Sequence, residues 1–547
     1  MTTQDMRCDY LVIGSGAAGL ASALRAAIAG LRVIVTEKSD LLGGTSAMSG
    51  AGIWVPANHL ATDAGLQDSP AEALEYLHAT APPGWAGVEA PLWAAYAEAA
   101  PRCLTFLDDH TPLQFEPIPE PDPFAERPGG KAQGRMLSVR PLSRWRLGRL
   151  AGRLRRSTLV HLFSYREMVT LDPYHHPIRA GLQVLPRLIW RWLTNSGGQG
   201  TALMTGLIRG CLDAGVILLP GTTAQSLQQE ADGTITGATL RHKGQPLTIH
   251  AARGVLIASG GFEWDDALRQ QHFPGPVDAL GSPATNTGDG QRMAAAAGAA
   301  LDRMDQANIY PCLPTVYEGR PTGLPFTFQA EAHSILVNRH GQRFANETDF
   351  NIGEAMDARD PATGAPLHLP VWLIGDRRFL RQSVPFHWFA RYRPGWVLRA
   401  DTLADLATRT GLPPKALEQT VARFNRFCES GADADFRRGQ SAWDDYKTHG
   451  APIRLTPIEQ GPFVALSVNR AILGTKGGAR TNAGGQVLRP DGSIIPGLFA
   501  AGLAMANPIG TRAIGPGTTL GPNMTWGFIC AETLLRQNRT DAPNPKG

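Results

Sequence analysis

The sequence predicts a mixed α/β fold whose main sheet draws strands from both ends of the chain, with an α+β unit inserted between them. Three observations predict it. A glycine-rich turn between an apolar strand and a helix opens the chain, a second glycine-rich constellation lies near its far end, and 547 residues exceed what one ordinary core holds. With 43% hydrophobic residues the chain can fill two or three cores, and only the tail after Asn538 is polar enough to stay unstructured.

The first element is the apolar run Tyr10 to Ile13, followed by Gly14-Ser15-Gly16-Ala17-Ala18-Gly19, a helical stretch through Ala29, and the strand Leu31 to Thr36 ending in Glu37. This is a βαβ unit with the dinucleotide fingerprint in its required context, so the fold is Rossmann-like. Gly14 permits the tight turn, Gly16 lets the backbone approach a pyrophosphate, and Gly19 lets the helix pack closely. The helix N-terminus directs N–H groups at the phosphates. Glu37, eighteen residues past Gly19, stands where a carboxylate accepts ribose hydroxyls. An unliganded glycine turn is the plainer reading, but it does not explain the terminal acid.

After Glu37-Lys38 comes Leu42-Gly43-Gly44-Thr45-Ser46-Ala47-Met48-Ser49-Gly50-Ala51-Gly52. An NAD domain would need only another strand and helix there. A backbone this small suits close passage along the longer FAD molecule, with Thr45 and Ser46 as hydroxyl donors. Further strands are expected at Val216–Leu219, before Thr223-Ala224, and at Val255–Ala258, closed by Ser259-Gly260-Gly261. Near the far end stand Gly474 to Thr481, the strand Gly497 to Gly502, and Gly510 to Met524, which includes Gly517, Thr519 and Leu520 and leads into an apolar helix from Thr525 to Leu535. Glycines before a helix again aim its N-terminus at an acceptor, here the pyrimidine edge of a flavin.

On these motifs the chain resembles the fumarate reductase flavoprotein superfamily. The residues that carry the likeness are GSGAAG, GGTSAMSGAGIWVPAN, VLIASGGFEWDDALR, NTGDGQRMAAAAGA with Asp289, SILVNRHGQRFANE, GTKGGARTN and GPGTTLGPNMTWGF, spread from Asp9 to Leu535. Within the superfamily it is most similar to the 3-ketosteroid dehydrogenase branch, especially the Δ1-dehydrogenases. The resemblance implies non-metal FAD chemistry, an adenine beside Thr223-Ala224, and a discontinuous FAD-binding domain over 1–295 and 465–547, with a substrate or cap domain over 296–464. The active site is expected in the cleft between them. In the cap, SILVNRHGQRFANE reads as a hairpin turning at His340-Gly341, and 401–430 reads as helical.

In that branch a ketone oxygen is held by hydrogen bonds, a tyrosine takes the α-proton, and the β-hydrogen leaves as hydride. Carried over residue by residue, the glycine that donates its N–H to the ketone falls on Gly517. The three tyrosines fall on Ala513, Pro123 and Phe350, so their hydroxyls are missing. Arg512, beside the first gap, could hold a ketone or carboxylate oxygen, or it could pair with a cap carboxylate. Tyr310 is the first replacement for proton transfer, with Tyr317, Tyr165 and His161 behind it. His333 and His175-His176 read more plainly as surface residues.

Between Lys131 and Arg191 lie twelve arginines against Glu167 and Asp172, within a basic insertion over about 131–192. The stretch 140–156 spaces Arg, Leu and Trp helically, and 182–193 adds an apolar and aromatic face. Such segments lie on anionic membranes, or else form a solvated arginine face packed on the body of the protein. Nucleic acid is not indicated, since the net charge is only +4 and no binding module is present. Six scattered cysteines without a CxxC read as reduced thiols. The strand that starts almost at residue 1 leaves no room for a leader, which predicts a cytoplasmic enzyme.

The expected function is FAD-dependent desaturation of a bond adjacent to a carbonyl in a small hydrophobic ketone, cyclic or steroid-like, with an external electron acceptor. Two rivals stand beside it: a fumarate-reductase-like enoate reductase using Arg512, and a flavoprotein that has lost its catalytic groups and serves as a binding or membrane partner.

Overall fold

The computed structural model describes residues 4–325, 331–382, 384–393, 395–447 and 455–540. Strand β1 (Gln4–Ile13) leads through helix α1 (Ala17–Ile28) to β2 (Val33–Glu37). β1 pairs in parallel with β2 on one side and with β3 (Gln245–Ile257) on the other. β4 (Ile494–Ala500) lies parallel beyond β3, and Ile217–Pro220 lies parallel beyond β2. The strands Thr222–Gln229 and Ile235–His242 extend the sheet antiparallel from β3.

Strands buried on both faces explain the unbroken apolar runs, because Tyr10, Leu11 and Val12 of β1 and Leu256 and Ile257 of β3 are fully enclosed. The far end of the chain closes the same layer. The C-terminal helix Leu520–Thr540 crosses α1 so tightly that a Cβ on Gly527 would collide with the Ala18 carbonyl. That helix begins five residues before the expected Thr525, through Gly521-Pro522, because Pro is acceptable in a first helical turn.

A separate antiparallel sheet is formed by Ser334–Val337, Trp372–Gly375, Phe463–Ser467 and Val397–Ala400. Its residues alternate in the strand period: Ile335, Val337, Ile374 and Ala465 face one core with helices Leu403–Thr410 and Pro414–Ser430, while Leu336, Leu373 and Leu466 face another. The expected helical stretch 401–430 is thus two helices, broken at Gly411-Leu412-Pro413. Phe463–Ser467 straddles the expected boundary at 464/465. The expected SILVNRHGQRFANE hairpin has its turn but not its second strand. Gly341 N–H closes on the Asn338 carbonyl at 2.9 Å. Beyond the turn, Arg343 and Glu347 are drawn into a buried ionic network with Asp433 and Arg438, which pulls that stretch off the sheet edge.

A small sheet takes strands from both sides of the expected boundary at 295/296: Arg470–Thr475 pairs with Val277–Leu280 and, antiparallel, with Ala307–Tyr310. Tyr310 ends the last of these strands and lines the cavity described below. The basic insertion carries three short helices: α2 (Tyr165–Leu171), α3 (Pro177–Gln183) and α4 (Leu185–Leu193). Its arginine-rich start is not the α-helix that the spacing suggested. Residues Arg144–Arg153 form 3₁₀ turns broken at Gly148, whose φ of 55° leaves the helical region.

Candidate active site at the junction

One continuous cavity of about 1490 Å³ runs from the first βα turn to the small sheet. Ligand pockets are commonly about 300–1,000 Å³, so this one has room for a cofactor and a substrate together. It brings together residues far apart in the chain: Gly14, Gly16, Ala17, Ala18, Glu37, Lys38, Gly44, Thr45, Ser46, Gly50, Ala51, Gly52, Ala224, Ser259, Gly260, Asp289, Gly502, Thr519 and Leu520 all line it. Gly19 does not. It sits beneath, where a Cβ would strike the Gly14 carbonyl, so it serves the close packing of helix on strand.

The geometry at this end fits an FAD molecule. Gly14 takes a φ of 115°, and a Cβ there would collide with the Ala258 carbonyl. Gly16, the N-cap of α1, has no side chain to accept from the first turn, no acidic residue occupies that turn, and the one side chain that reaches it is the neutral Ser46 hydroxyl, which accepts from the Ala17 N–H at 3.2 Å. The positive end of the helix is therefore open to an anion. The Ser259 hydroxyl, on the cavity wall, is buried without a hydrogen-bond partner, which marks a donor waiting for a ligand. Glu37 is positioned by Ser15, whose N–H and hydroxyl donate to its carboxylate at 3.2 and 2.7 Å. Lys38 turns to Asp289 at 2.8 Å and to the Thr287 hydroxyl at 2.6 Å.

At the other end the cavity is lined by Gly517, Tyr310, Ala513, Tyr165 and Glu120. Gly517 has a φ of 72°, and a Cβ would stand 2.6 Å from the Trp54 backbone nitrogen. Its carbonyl accepts from Trp54 N–H, while its own N–H has no partner among the described residues. Ala513 is fixed by Asn351, which accepts its N–H at 2.9 Å and donates to its carbonyl at 3.0 Å. Phe350 meets Tyr310 edge-on at 6.5 Å and Trp443 at 5.3 Å, giving this end an aromatic wall. Pro123 is buried against Gly515.

Several placements differ from expectation. Arg512 takes its cap-pairing alternative: its Nε donates to Glu354 at 2.8 Å, and it does not line the cavity. Tyr317 is also outside, donating to the Arg156 carbonyl at 2.7 Å. His161 lines the cavity, but burial holds it down to about 4, so it is neutral. Contrary to the surface reading, His333 is buried and tied to the Pro457 carbonyl at 2.7 Å, and His175 lies between Asp172 and Glu331 and, with His176, lines the cavity.

The group that sequence reading missed is Glu120. It is only 4% exposed, yet its carboxylate accepts from the Tyr165 hydroxyl at 3.1 Å and also from Tyr446. Burial pushes its carboxyl up to about 7, although nearby Lys447 and the two hydrogen bonds pull the other way. Tyr165 lies flat on the glycine run, with its ring 3.2 Å from where a Cβ on Gly50 would be and 3.1 Å from one on Gly52. Burial raises the Tyr310 phenol to about 12, and no charged neighbour offsets it. Glu120 stands in Ile118-Pro119-Glu120-Pro121, where nothing distinguishes it from a loop acid.

Residues 9–520 match the family described as FAD binding domain. The 3-oxosteroid 1-dehydrogenase of Mycobacterium tuberculosis (strain ATCC 25618 / H37Rv) is 35% identical, over 98% of this chain and 99% of that protein. The 4-oxocyclohexanecarboxylate 2-dehydrogenase of Sinomonas cyclohexanicum is also 35% identical, over 97% and 93%. The solved 3-ketosteroid Δ1-dehydrogenase from Sterolibacterium denitrificans, in complex with 1,4-androstadiene-3,17-dione, superposes with a TM-score of 0.86 at 31% identity, covering 97% of this chain and all of that one. Likeness that runs through the cradle, the cap and the C-terminal loop alike decides the matter: the chain belongs to the FAD-binding flavoprotein family that includes the 3-oxosteroid 1-dehydrogenases, and is an FAD-dependent oxidoreductase.

Proposed function

We propose that the enzyme desaturates the carbon–carbon bond next to the carbonyl of a hydrophobic cyclic or steroid-like ketone. The observation that carries this reading is the single cavity joining the FAD cradle to an aromatic, largely apolar chamber that ends at Gly517. The relatives that act on oxosteroids and oxocyclohexanes support the substrate class. The work divides between residues 1–295 with 465–547, which hold the cofactor, and residues 296–464, which cover the substrate.

Within the chamber the Gly517 N–H donates to the ketone oxygen and stabilises the negative charge that develops there as the α-carbon loses its proton. Tyr165 takes that proton on its phenolic oxygen while passing its own to the Glu120 carboxylate. The dyad therefore ends as neutral tyrosine and neutral glutamic acid. This arrangement suits the chemistry better than Tyr310, whose phenol has no acceptor for its own proton among the described residues. FAD, when bound, supplies the two-electron acceptor for the β-hydrogen. Turnover then requires an external electron acceptor. The reverse reaction anchored on Arg512 is less well supported, because that guanidinium pairs with Glu354 and does not line the cavity.

Anaerobic titration tests the reading. Addition of a 3-ketosteroid or a 4-oxocyclohexane carboxylate should bleach the oxidised flavin band and yield the α,β-unsaturated ketone. A flavin that stays yellow with every member of a ketone panel, yet is reoxidised rapidly by unsaturated acids after chemical reduction, would overturn it.

A further inference from the structure

The helix α4 is built inside out. Its polar side faces the protein, where Arg191 donates to Glu167 through two bonds of 2.7 and 2.8 Å and both side chains are largely enclosed. Its apolar side faces solvent. Leu185, Ile189, Trp190, Trp192 and Leu193 are all exposed, Trp190 to 66% and Trp192 to 79%, and exposed Leu182 at the end of α3 continues the face. Water-soluble proteins seldom present a contiguous apolar face of this kind unless something covers it.

The surroundings indicate what covers it. Residues 140–193 hold eleven arginines, no lysine and two acids, and both acids are engaged, Glu167 by Arg191 and Asp172 by His175. Arg146, Arg149, Arg179 and Arg187 are exposed. A short strand pair, Leu142–Ser143 with Ser196–Gly197, brings exposed Trp145 and its flanking arginines up to the end of α4. The face is thus apolar and aromatic at its centre, and the charged side chains that its own segment exposes around it are arginines. The chamber opens beside it: Val160 and Leu162 of the insertion, with Val384 and Trp388 of the cap, are exposed and also line the cavity.

We propose that this face docks the enzyme on an anionic lipid bilayer, with the α3–α4 side chains in the headgroup layer and the chamber mouth turned toward the lipid. Tryptophan and leucine at the polar–apolar boundary and arginines facing lipid phosphates are the side chains such a boundary selects. A second copy of the chain is the other occupant an apolar face could have. The excess of exposed arginine in this segment argues against it, because a two-fold interface would bring arginines against arginines. A lipophilic ketone would then pass from bilayer to chamber without crossing water. That step alone rests on the proposed function, whereas docking does not.

The test is flotation of the FAD-loaded full-length protein with vesicles of phosphatidylcholine alone and of phosphatidylcholine with about one-third phosphatidylglycerol. The protein should float with the anionic vesicles, less so at high salt, and its tryptophan emission should shift to the blue. A triple variant, Ile189→Ser with Trp190→Ser and Trp192→Ser, should weaken vesicle binding by about tenfold or more while keeping the wild-type flavin spectrum and thermal midpoint. Binding of wild type and variant alike, flotation with neither vesicle, or a solution dimer that the variant dissociates would each overturn the proposal. None of these readouts depends on which ketone is turned over.

Discussion

The buried Glu120 carboxyl is the residue on which the proposed proton transfer turns. Its ordinary value is 4.5, and burial raises it to about 7, so near neutral pH it is poised to accept a proton from Tyr165. If the ionised form is the acceptor, kcat/KM should rise with pH through about 7. Glu120→Gln should remove that limb and lower kcat by about 10²- to 10³-fold, with FAD still bound; a profile unchanged in shape would remove Glu120 from the reaction. Tyr165→Phe should lower kcat to a similar degree. Arg512→Ala is the control. Its pairing with Glu354 is about one-third exposed, so the change should leave kcat within about threefold and cost at most about 1 kcal/mol of stability. The contrast also shows what sequence could and could not reveal. Gly14 and Gly517 were legible because a backbone forced to positive φ against a close neighbour records itself as glycine. Glu120 was not, because its burial and its partners Tyr165 and Tyr446 come from segments far from it in sequence, and a lone acid between prolines carries no trace of them.

At the scale of the element, α4 depends on the bridge from Glu167 to Arg191. The pattern of arginine and apolar residues over 182–193 has the same period whichever side faces inward, so sequence alone left both the membrane face and the packed arginine face open. The buried ion pair decides the orientation. The Arg191 guanidinium, with its hydrogen bonds, holds the Glu167 carboxyl below its ordinary value of 4.5 despite the opposing effect of burial. A lowered carboxyl contributes stability that is present above about 4.5 and is lost as pH falls through the folded value. Hydrogen exchange over 165–171 and 185–193 should therefore quicken below about pH 4.5, ahead of the central sheet. Glu167→Gln should loosen the same segments at neutral pH by about 3 kcal/mol, the scale for a buried cation left without its partner. Unchanged exchange in α4 would mean that something else holds it.

Across the whole molecule, the main sheet takes strands from residues 4–13, 33–37, 217–257 and 486–500, and both ends of the chain line the same cavity. The repeated glycine signals let sequence reading see that convergence. It could not see the path between them, since the small sheet that carries Tyr310 pairs strands with no shared signature. A cofactor seated along the whole cavity would tie these segments together thermodynamically, because a ligand bound only by the folded form stabilises it by about 2.7 kcal/mol at a hundredfold excess over Kd. Stripping FAD should thus lower the thermal midpoint, and adding it back should restore it. It should also slow exchange together in residues 14–19, 44–52, 286–289 and 517–520, although these lie in four separate stretches of sequence. Protection confined to 14–19, with the C-terminal loop exchanging as fast as in the stripped protein, would mean that the two glycine-rich ends do not share one ligand, and the site would have to be divided in two.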